Sequence, residues 1–497
     1  MVRSVSLQSL TFSTANARHA KNESLSRSQL PRSLTLLAMS LGYGVVQLDV
    51  TIVNTALNSI GTSLGGGVSE LQWVVTAYTI SFAACILTAR ALGDRLGAKM
   101  IFMAGFAIFT AASLGCALAP SSATLIVSRA VQGIGAAILV PNSLALLNHT
   151  YPGEVERGRA VGFWAAGASL ALTAGPLVGG ALITLTGWRS IFLVNLPIGL
   201  GALWLTWRYV TDTKRTKHQL DLPGQVVAIA MLGVLAGAII EGGRVGWQNP
   251  WIIASCGVFI ILAALFLMQE HNTQQPMLPL SLFAHRMFAM TSLVGLLVNI
   301  ACYGLIFVFS LYFQQINGWS PLSTGLAFVP MTGVVLPVNL IAPRLAERFG
   351  APPVIAAGCL IAAGGCVALL GIKPGTSYWA ICAQLVAIGG GLGLLVPPLT
   401  SALLGSVEKS RSGVAAGVLN STRQTGSVIG VALFGSLIER TNAFMSGARG
   451  VDHFYGALDR GSRRNHRDSS PWPTKTNLRL KIARALWGRA SISAPCF

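Results

Sequence analysis

Residues 128–141 read SRAVQGIGAAILVP, and residues 389–397 answer them with GGGLGLLVP. Two more pairs sit at nearly the same separation: LGDRLGA (92–98) with LAERFGA (345–351), and ERGR (156–159) with EKSR (408–411). Counted from 133 to 389, 92 to 345 and 156 to 408, the offsets are 256, 253 and 252 residues. Three matches in one order at one offset mark a chain made of two related halves. In a membrane protein such a parallel repeat places the halves about a common centre, with a cavity between them that opens to either side as they rock.

The composition puts those halves in a bilayer. Only 10% of the residues are charged and 53% are hydrophobic, with 55 glycines and a mean hydropathy of +0.62, whereas soluble domains carry about 25% charged residues. Thirteen apolar stretches are about as long as the ~20 residues that cross a ~30 Å hydrocarbon core: 33–60, 71–93, 100–119, 123–148, 160–183, 188–206, 223–241, 251–268, 288–313, 322–343, 353–371, 378–404 and 413–438. They lack β-barrel alternation, so the expected class is an all-α polytopic membrane protein. The acidic–basic loop follows span 2 and its echo follows span 10. Each six-helix repeat is thus separated from the next by two additional spans. The domains expected are a disordered cytoplasmic extension (1–32), an N-terminal six-helix half (33–206), two extra helices (207–270), a C-terminal half with five visible helices (271–440) and a basic tail (441–497).

Short loops set the orientation. Arg95 and Lys99, Arg157 and Arg159, Lys214, Arg215 and Lys217, Arg344 and Arg348, and Lys409 and Arg411 fall on the side opposite to the loops at Glu70, Pro120 and Trp247. Basic loops stay inside, so this side and the N-terminus are read as cytoplasmic. Much of the net charge of +19 is therefore topological, and nucleic acid is not an expected partner. Residues 1–32, Ser- and Arg-rich with Glu23 as their one acid, read as a disordered extension or an early start, with an organellar transit peptide as the other reading. Seven of the eight cysteines sit singly in apolar stretches with no metal spacing, so they are read as packing residues and no metal site is expected.

Four motifs then resemble the major facilitator superfamily, and within it the fourteen-helix drug:proton antiporters of the EmrB/QacA type. RAVQGIGAA (129–137) fits that family's span 4 pattern RxxQGxGAA. LDVTIVNTALN (48–58) is similar to its span 1 motif, with Asn58 where proline is usual. ALTAGPLVGG (171–180) resembles the span 5 antiporter motif GxxxGPxxGG, with Ala171 for the first glycine. RALGDRLGAK (90–99) resembles the loop motif GxLADRxGRK, with Arg90 and Gly93 as departures. The resemblance runs from about residue 33 to 440. It implies the major facilitator fold, proton-coupled export, a conformational role for the kinked seam of Gly175, Pro176, Gly179 and Gly180, and proton coupling through Arg129.

The residues have their own physical reading. A guanidinium within an apolar run must be paired or must snorkel to the headgroups. Gln132 lies one helical turn from Arg129, and Gly133 and Gly135 admit a close neighbour, so Arg129 is expected to point into the bundle and pair with polar groups of span 1. Asp49 is an intramembrane acid, with Thr51, Asn54 and Asn58 on or near its side of the helix. Three roles are open to it: proton acceptor, counter-charge for a cationic substrate, or structural hydrogen-bond acceptor. Asp94 and Arg95 are placed to bond across to the other half in one conformation, or else to remain solvated. Glu241 reads as a wet helix end. The second half has no counterpart of Arg129 but carries its own cation, Arg423, so the halves are inequivalent.

The function expected is a secondary transporter that exports amphipathic, including cationic, compounds through the cytoplasmic membrane in exchange for protons. It is expected to be no enzyme, to need no cofactor beyond the proton gradient, and to act as a monomer, with a periplasmic adaptor left open. No GxxxxGK[ST] phosphate loop is present. A transporter for a specific metabolite is the alternative. Residues 441–497 hold ten Lys or Arg against three Asp and no long apolar run. The family's last helix is therefore expected to be missing, the tail disordered, and a transport-incompetent truncated product is the remaining alternative.

Overall fold

A computed structural model describes residues 6–213, 215, 221–273, 276–369, 377–408 and 412–462. These form fourteen α-helices and, among the described residues, no strand: α1 Ser6–Leu64, α2 Val68–Leu96, α3 Ala98–Ala117, α4 Ser122–Thr150, α5 Glu154–Thr186, α6 Ser190–Leu193, α7 Asn195–Tyr209, α8 Leu222–Val245, α9 Pro250–Asn272, α10 Arg286–Leu311, α11 Pro321–Phe349, α12 Ala351–Leu369, α13 Tyr378–Gly405 and α14 Ser412–Ser462. Twelve spans are long and apolar enough to cross a membrane, with α6 and α7 combining into one (Ser190–Tyr209). The thirteenth expected span, 413–438, is helical within α14 but falls outside that group, because Asn420, Ser421, Thr422, Arg423, Gln424 and Thr425 follow one another in its first half.

Local chemistry sets the helix ends. Ser121, Ser320 and Asn249 accept hydrogen bonds from the first-turn amides of α4, α11 and α9, and proline opens α9 and α11 where no amide donor is needed. At the other end, α5 and α11 stop at Gly187 and Gly350, whose φ values of 90° and 87° favour glycine.

Both chain ends depart from expectation. The irregular extension expected over 1–32 is helical from Ser6, continuous with span 1 through Pro31. Residues 6–30 hold neither Gly nor Pro, so nothing in them stops a helix that the apolar span propagates. At the far end α14 is helical to Ser462, so residues 441–462 are not the disordered tail expected, although no membrane span lies there. The tail over 463–497, and Lys214, Lys217, Lys409 and Arg411 of the basic loops, lie outside the described residues. The contacts divide the chain into two units, Met1–Arg440 and Thr441–Phe497. The first contains everything described below.

In the N-terminal half α1, α2, α3, α4, α5 and α7 close round a core containing Met39, Tyr78, Phe82, Phe102, Phe106 and Phe109. In the C-terminal half Phe309, Phe313, Phe328, Met331, Ile381 and Leu385 pack between α10, α11 and α13. Of the two extra helices, α8 touches both halves: Val428 of α14 joins Leu232 and Ala236 in one cluster with α2, and Gly243 lies against Ser436 of α14. Leu232 and Ala236 of α8 pack on Ile80, Ala83 and Ala84 of α2, and α9 packs on α8. Only Ile252, Phe266 and Glu270 of α9 are buried, while Trp251, Ile260 and Met268 are 81%, 66% and 60% exposed. Such an apolar outer face belongs against lipid.

Small residues let the helices approach. A side-chain carbon on Gly135 of α4 would lie 2.7 Å from the backbone nitrogen of Phe109 in α3, whereas one on Gly233 of α8 would meet nothing within 4 Å. Gly135→Val should therefore destabilise the protein by roughly 1–3 kcal/mol through overpacking, seen as a lower unfolding temperature in detergent. Gly233→Val should melt with the wild type. Equal melting of Gly135→Val and wild type would contradict the packing described.

Candidate functional site

The least exposed charges of the N-terminal half meet at one point. Asp49 of α1 is 0% exposed and Arg129 of α4 is 1% exposed. The Arg129 Nη1 donates to Asp49 Oδ2 in a buried ion pair. The same nitrogen lies 2.7 Å from Gln132 Oε1, and Arg129 Nε donates to the Val74 carbonyl oxygen of α2 at 3.2 Å. Gln132 Nε2 donates to the other carboxylate oxygen, Asp49 Oδ1, at 2.9 Å and to Ser113 Oγ of α3 at 2.8 Å. Asn195 Nδ2 of α7 reaches Asp49 Oδ1 and Ser113 Oγ, each at 3.3 Å. Five helices therefore contribute to one charge pair.

Backbone geometry makes this possible. A side chain on Gly133 would collide with the Tyr78 carbonyl oxygen. Without one, α4 lies against α2 closely enough for Arg129 to reach Val74 and for its guanidinium to stack over the Tyr78 ring, 4.2 Å from the centroid. The Phe192 ring covers it at 5.9 Å. The guanidinium points into the bundle, not toward headgroups. A buried ion pair of this kind needs close partners for its charges; Gln132, Asn195 and the Val74 carbonyl supply them, while Asn195 Oδ1 and Tyr78 Oη are left without one.

The other expected residues are placed as follows. Thr51 does not share the face of Asp49: its hydroxyl donates to the Leu172 carbonyl of α5 at 3.2 Å. Two residues advance a helix by roughly 200°, so the pair look in nearly opposite directions. The Asn54 carbonyl accepts from Ser310 Oγ of α10, and Gln314 Nε2 donates to the Thr55 carbonyl at 3.0 Å. Gly175 and Gly179 of α5 lie against Thr51 and Ile52 of α1, and Gly180 lies against Pro321 and Leu322 of α11, 2.6 Å from the Pro321 carbonyl oxygen to an added carbon. The Pro176 carbonyl rests on Gly325 of α11. Asp94 pairs within its own helix, with Arg90 at 3.9 Å, and Arg95 is exposed. Glu241 pairs with Arg244 at 2.7 Å and accepts from Ser69, so it is less wet than expected. The supporting groups Ser113, Tyr78 and Asn195 were not singled out in the sequence, although Asn195 in the apolar run IFLVNLPIGL carries the same signal as Asp49.

Between the halves lies a cavity of about 1180 Å³, mouth included, lined among others by Tyr43, Gln47, Asn339, Thr332, Asn420 and Arg423. Arg423 Nη2 donates to Thr400 Oγ1 of α13 at 2.9 Å. Of the contacts between the halves, those at Asn54, Thr55, Gly180, Gly325 and Gln314 sit as a seal toward the end carrying Gly65 and Pro120, while α2 and α14 meet along their length, from Gln72 against Val431 to Leu87 against Gly417. The cavity residues of the same helices, Tyr43, Gln47 and Asn339, lie on the other side of that seal, toward the end carrying Arg95. A smaller void lined by Tyr78, Arg129, Tyr303 and Gln424 lies between the charge cluster and the cavity and shares Tyr303 and Gln424 with it.

Two halves, a shared cavity sealed at one end and a sequence repeat decide the comparison with known proteins. Residues 39–229 and 222–431 match the Major Facilitator Superfamily. The chain belongs to that superfamily. It is a multi-pass membrane protein of a transporter family. It is 36% identical over 439 residues to the methylenomycin A resistance protein of Streptomyces coelicolor, covering 88% of this chain and 92% of the relative. It is 36% identical over 416 residues to the multidrug resistance protein Stp of Mycobacterium tuberculosis, covering 83% of this chain and 76% of the relative. Among solved structures, a bacterial homologue of the human lysosomal transporter Spinster, inward-facing and unoccupied, superposes with a TM-score of 0.60 at 19% identity, covering 86% of each chain. A D-xylose–proton symporter gives 0.58 at 14% identity, covering 81% of this chain and 89% of that one.

The ion pair can be tested by breaking it. Arg129→Ala leaves a fully buried carboxylate without its partner and should cost about 3–5 kcal/mol. Adding Asp49→Asn to Arg129→Ala should recover part of that loss, read as unfolding temperature in detergent. A double variant less stable than Arg129→Ala would contradict the pairing.

Proposed function

We propose that this major facilitator is a drug:proton antiporter of the fourteen-helix type that exports amphipathic compounds across the cytoplasmic membrane. The observation that carries the proposal is the Asp49–Arg129–Gln132 cluster, buried in one half beside the cavity between the halves. The relatives' names, methylenomycin A resistance protein and multidrug resistance protein, support export of toxic small molecules. The two helices α8 and α9 between the halves are the addition that the fourteen-helix type implies.

With the basic loops inside, the sealed end faces outward and the cavity faces the cytoplasm. Substrate enters there. Asp49 holds either the Arg129 guanidinium or a proton, since both compete for the same oxygens. When the halves rock and the outer seal opens, a proton arriving through the void beside Tyr78 takes Asp49 and frees Arg129. On return to the inward-facing form Arg129 reclaims the carboxylate, and the proton leaves toward the cytoplasm. Such an arrangement couples the charge pair to the seal through α1, which carries Asp49 on one side and the Thr51 and Ile52 contacts to α5 on the other. Each chain supplies both walls of the cavity, so the transporter acts as a monomer.

Asp49→Asn should insert and fold yet lose gradient-driven export. Efflux of neutral anthracene-9-carboxamide from whole cells, with and without a proton uncoupler, measures it: the wild type should slow at least tenfold with uncoupler, toward the level of Asp49→Asn, if each cycle needs the proton. Uncoupler-insensitive efflux, or full export by Asp49→Asn, would remove proton exchange at this residue.

A further inference from the structure

We infer that the central cavity selects amphipathic organic anions and that Arg423 recognises their acidic head. This rests on the reading of the chain as an exporter and adds the chemical class of its substrate. It also reverses the cationic preference that Asp49 suggested from sequence.

The cavity lining includes Arg423 but neither an Asp nor a Glu. Asp49, the nearest acid of the neighbouring cluster, is fully buried, and its oxygens are occupied by Arg129, Gln132 and Asn195. It has nothing left to offer a cation in the cavity. The two intramembrane arginines therefore differ in kind. Arg129 has its carboxylate. Among the described residues Arg423 enters no ion pair, and its guanidinium, which can donate five hydrogen bonds, makes a single one there, to Thr400.

An unneutralised guanidinium in a low-dielectric wall is costly unless a counter-ion reaches it. Its planar fork matches a carboxylate in a bidentate pair. The polar neighbours are Asn420 and Gln424 on α14 and Tyr43 and Tyr303 from the facing helices. All are neutral groups able to donate to an anion, and none can neutralise an ammonium. The opposite wall suits the rest of such a molecule. Val298, Cys302 and Leu392 line both the cavity and an adjoining apolar cleft of about 560 Å³ between α10, α12 and α13, which would take a hydrocarbon body while the head stays on Arg423.

Three fluorescent probes of one shape separate charge from size: anthracene-9-carboxylate, anthracene-9-carboxamide and 9-(aminomethyl)anthracene. They are titrated into purified full-length protein in detergent. The wild type should bind the carboxylate roughly tenfold or more tightly than the ammonium, because hydrogen bonds to a charged partner exceed neutral ones. Arg423→Gln should level the three affinities, and Arg423→Lys should keep part of the preference. Wild-type protein that binds the ammonium as tightly as the carboxylate, or fails to bind the carboxylate, overturns the inference without recourse to any variant. So does an anion preference that survives Arg423→Gln. Efflux of the neutral carboxamide from cells scores the exporter reading separately. Uncoupler-sensitive efflux without charge preference sinks the anion inference alone, and anion preference with uncoupler-insensitive efflux sinks only the proton exchange.

Discussion

A charge pair taken out of water is the constraint around which the N-terminal half is organised. Burying Asp49 and Arg129 costs several kcal/mol per ion, and hydrogen-bond partners at the two charges must offset it. The structure supplies them from α1, α2, α3, α4 and α7: Gln132 bridges the two charges, Ser113 and Asn195 hold Gln132 and the carboxylate, the Val74 carbonyl takes Nε, and Tyr78 and Phe192 cover the guanidinium. Each partner arrives because a small residue lets its helix come near, Gly133 against Tyr78 and Gly135 against Phe109. A site with this many satisfied groups is rigid as long as both charges are present. It becomes a different site when one of them is neutralised.

That dependence reaches the seal between the halves through α1. Asp49 faces the cluster, while Thr51 and Ile52, a short way along the helix, face the glycine seam of α5. The seam continues outward to α11 through Gly180, Pro176 and Gly325. Backbone rests directly on backbone at these contacts, so the seal has two states, closed or parted, with little room for compromise. In the antiporter proposed above, charge chemistry on one side of α1 and bare backbone packing on the other would let one helix join proton occupancy to cavity access.

The sequence made much of this legible, and the exceptions have physical causes. The halves, the all-α class and the inward-pointing Arg129 follow from repeat offsets, span lengths and the cost of a charge in hydrocarbon. The pairing of Arg129 with span 1 follows from the same cost together with Gln132 and the two glycines. Ser113 and Asn195 were missed because neutral polar residues are common in membrane helices and acquire meaning only through a tertiary neighbour. Thr51 was placed beside Asp49 on sequence nearness, which the helical rotation of about 100° per residue undoes. Loop lengths do not say which helix will be a neighbour, so the seat of α8 against both α2 and α14 was hidden as well. An intramembrane acid looks open to a cation until its oxygens are seen to be occupied, here by Arg129, Gln132 and Asn195.

The central claim is that the state of the Asp49–Arg129 pair sets whether the outer seal is closed. Spin labels at Ser63, near the end of α1, and at Gln315, just before α11, flank that seal on exposed positions. The direct test is pulsed electron–electron distance measurement between them, in protein freed of its native cysteines and reconstituted in lipid at neutral pH. The account predicts one short-distance population with Asp49 intact and a second, longer population when the charge is removed by Asp49→Asn or when the buffer is made acidic. A distance distribution that stays the same under both changes would contradict it.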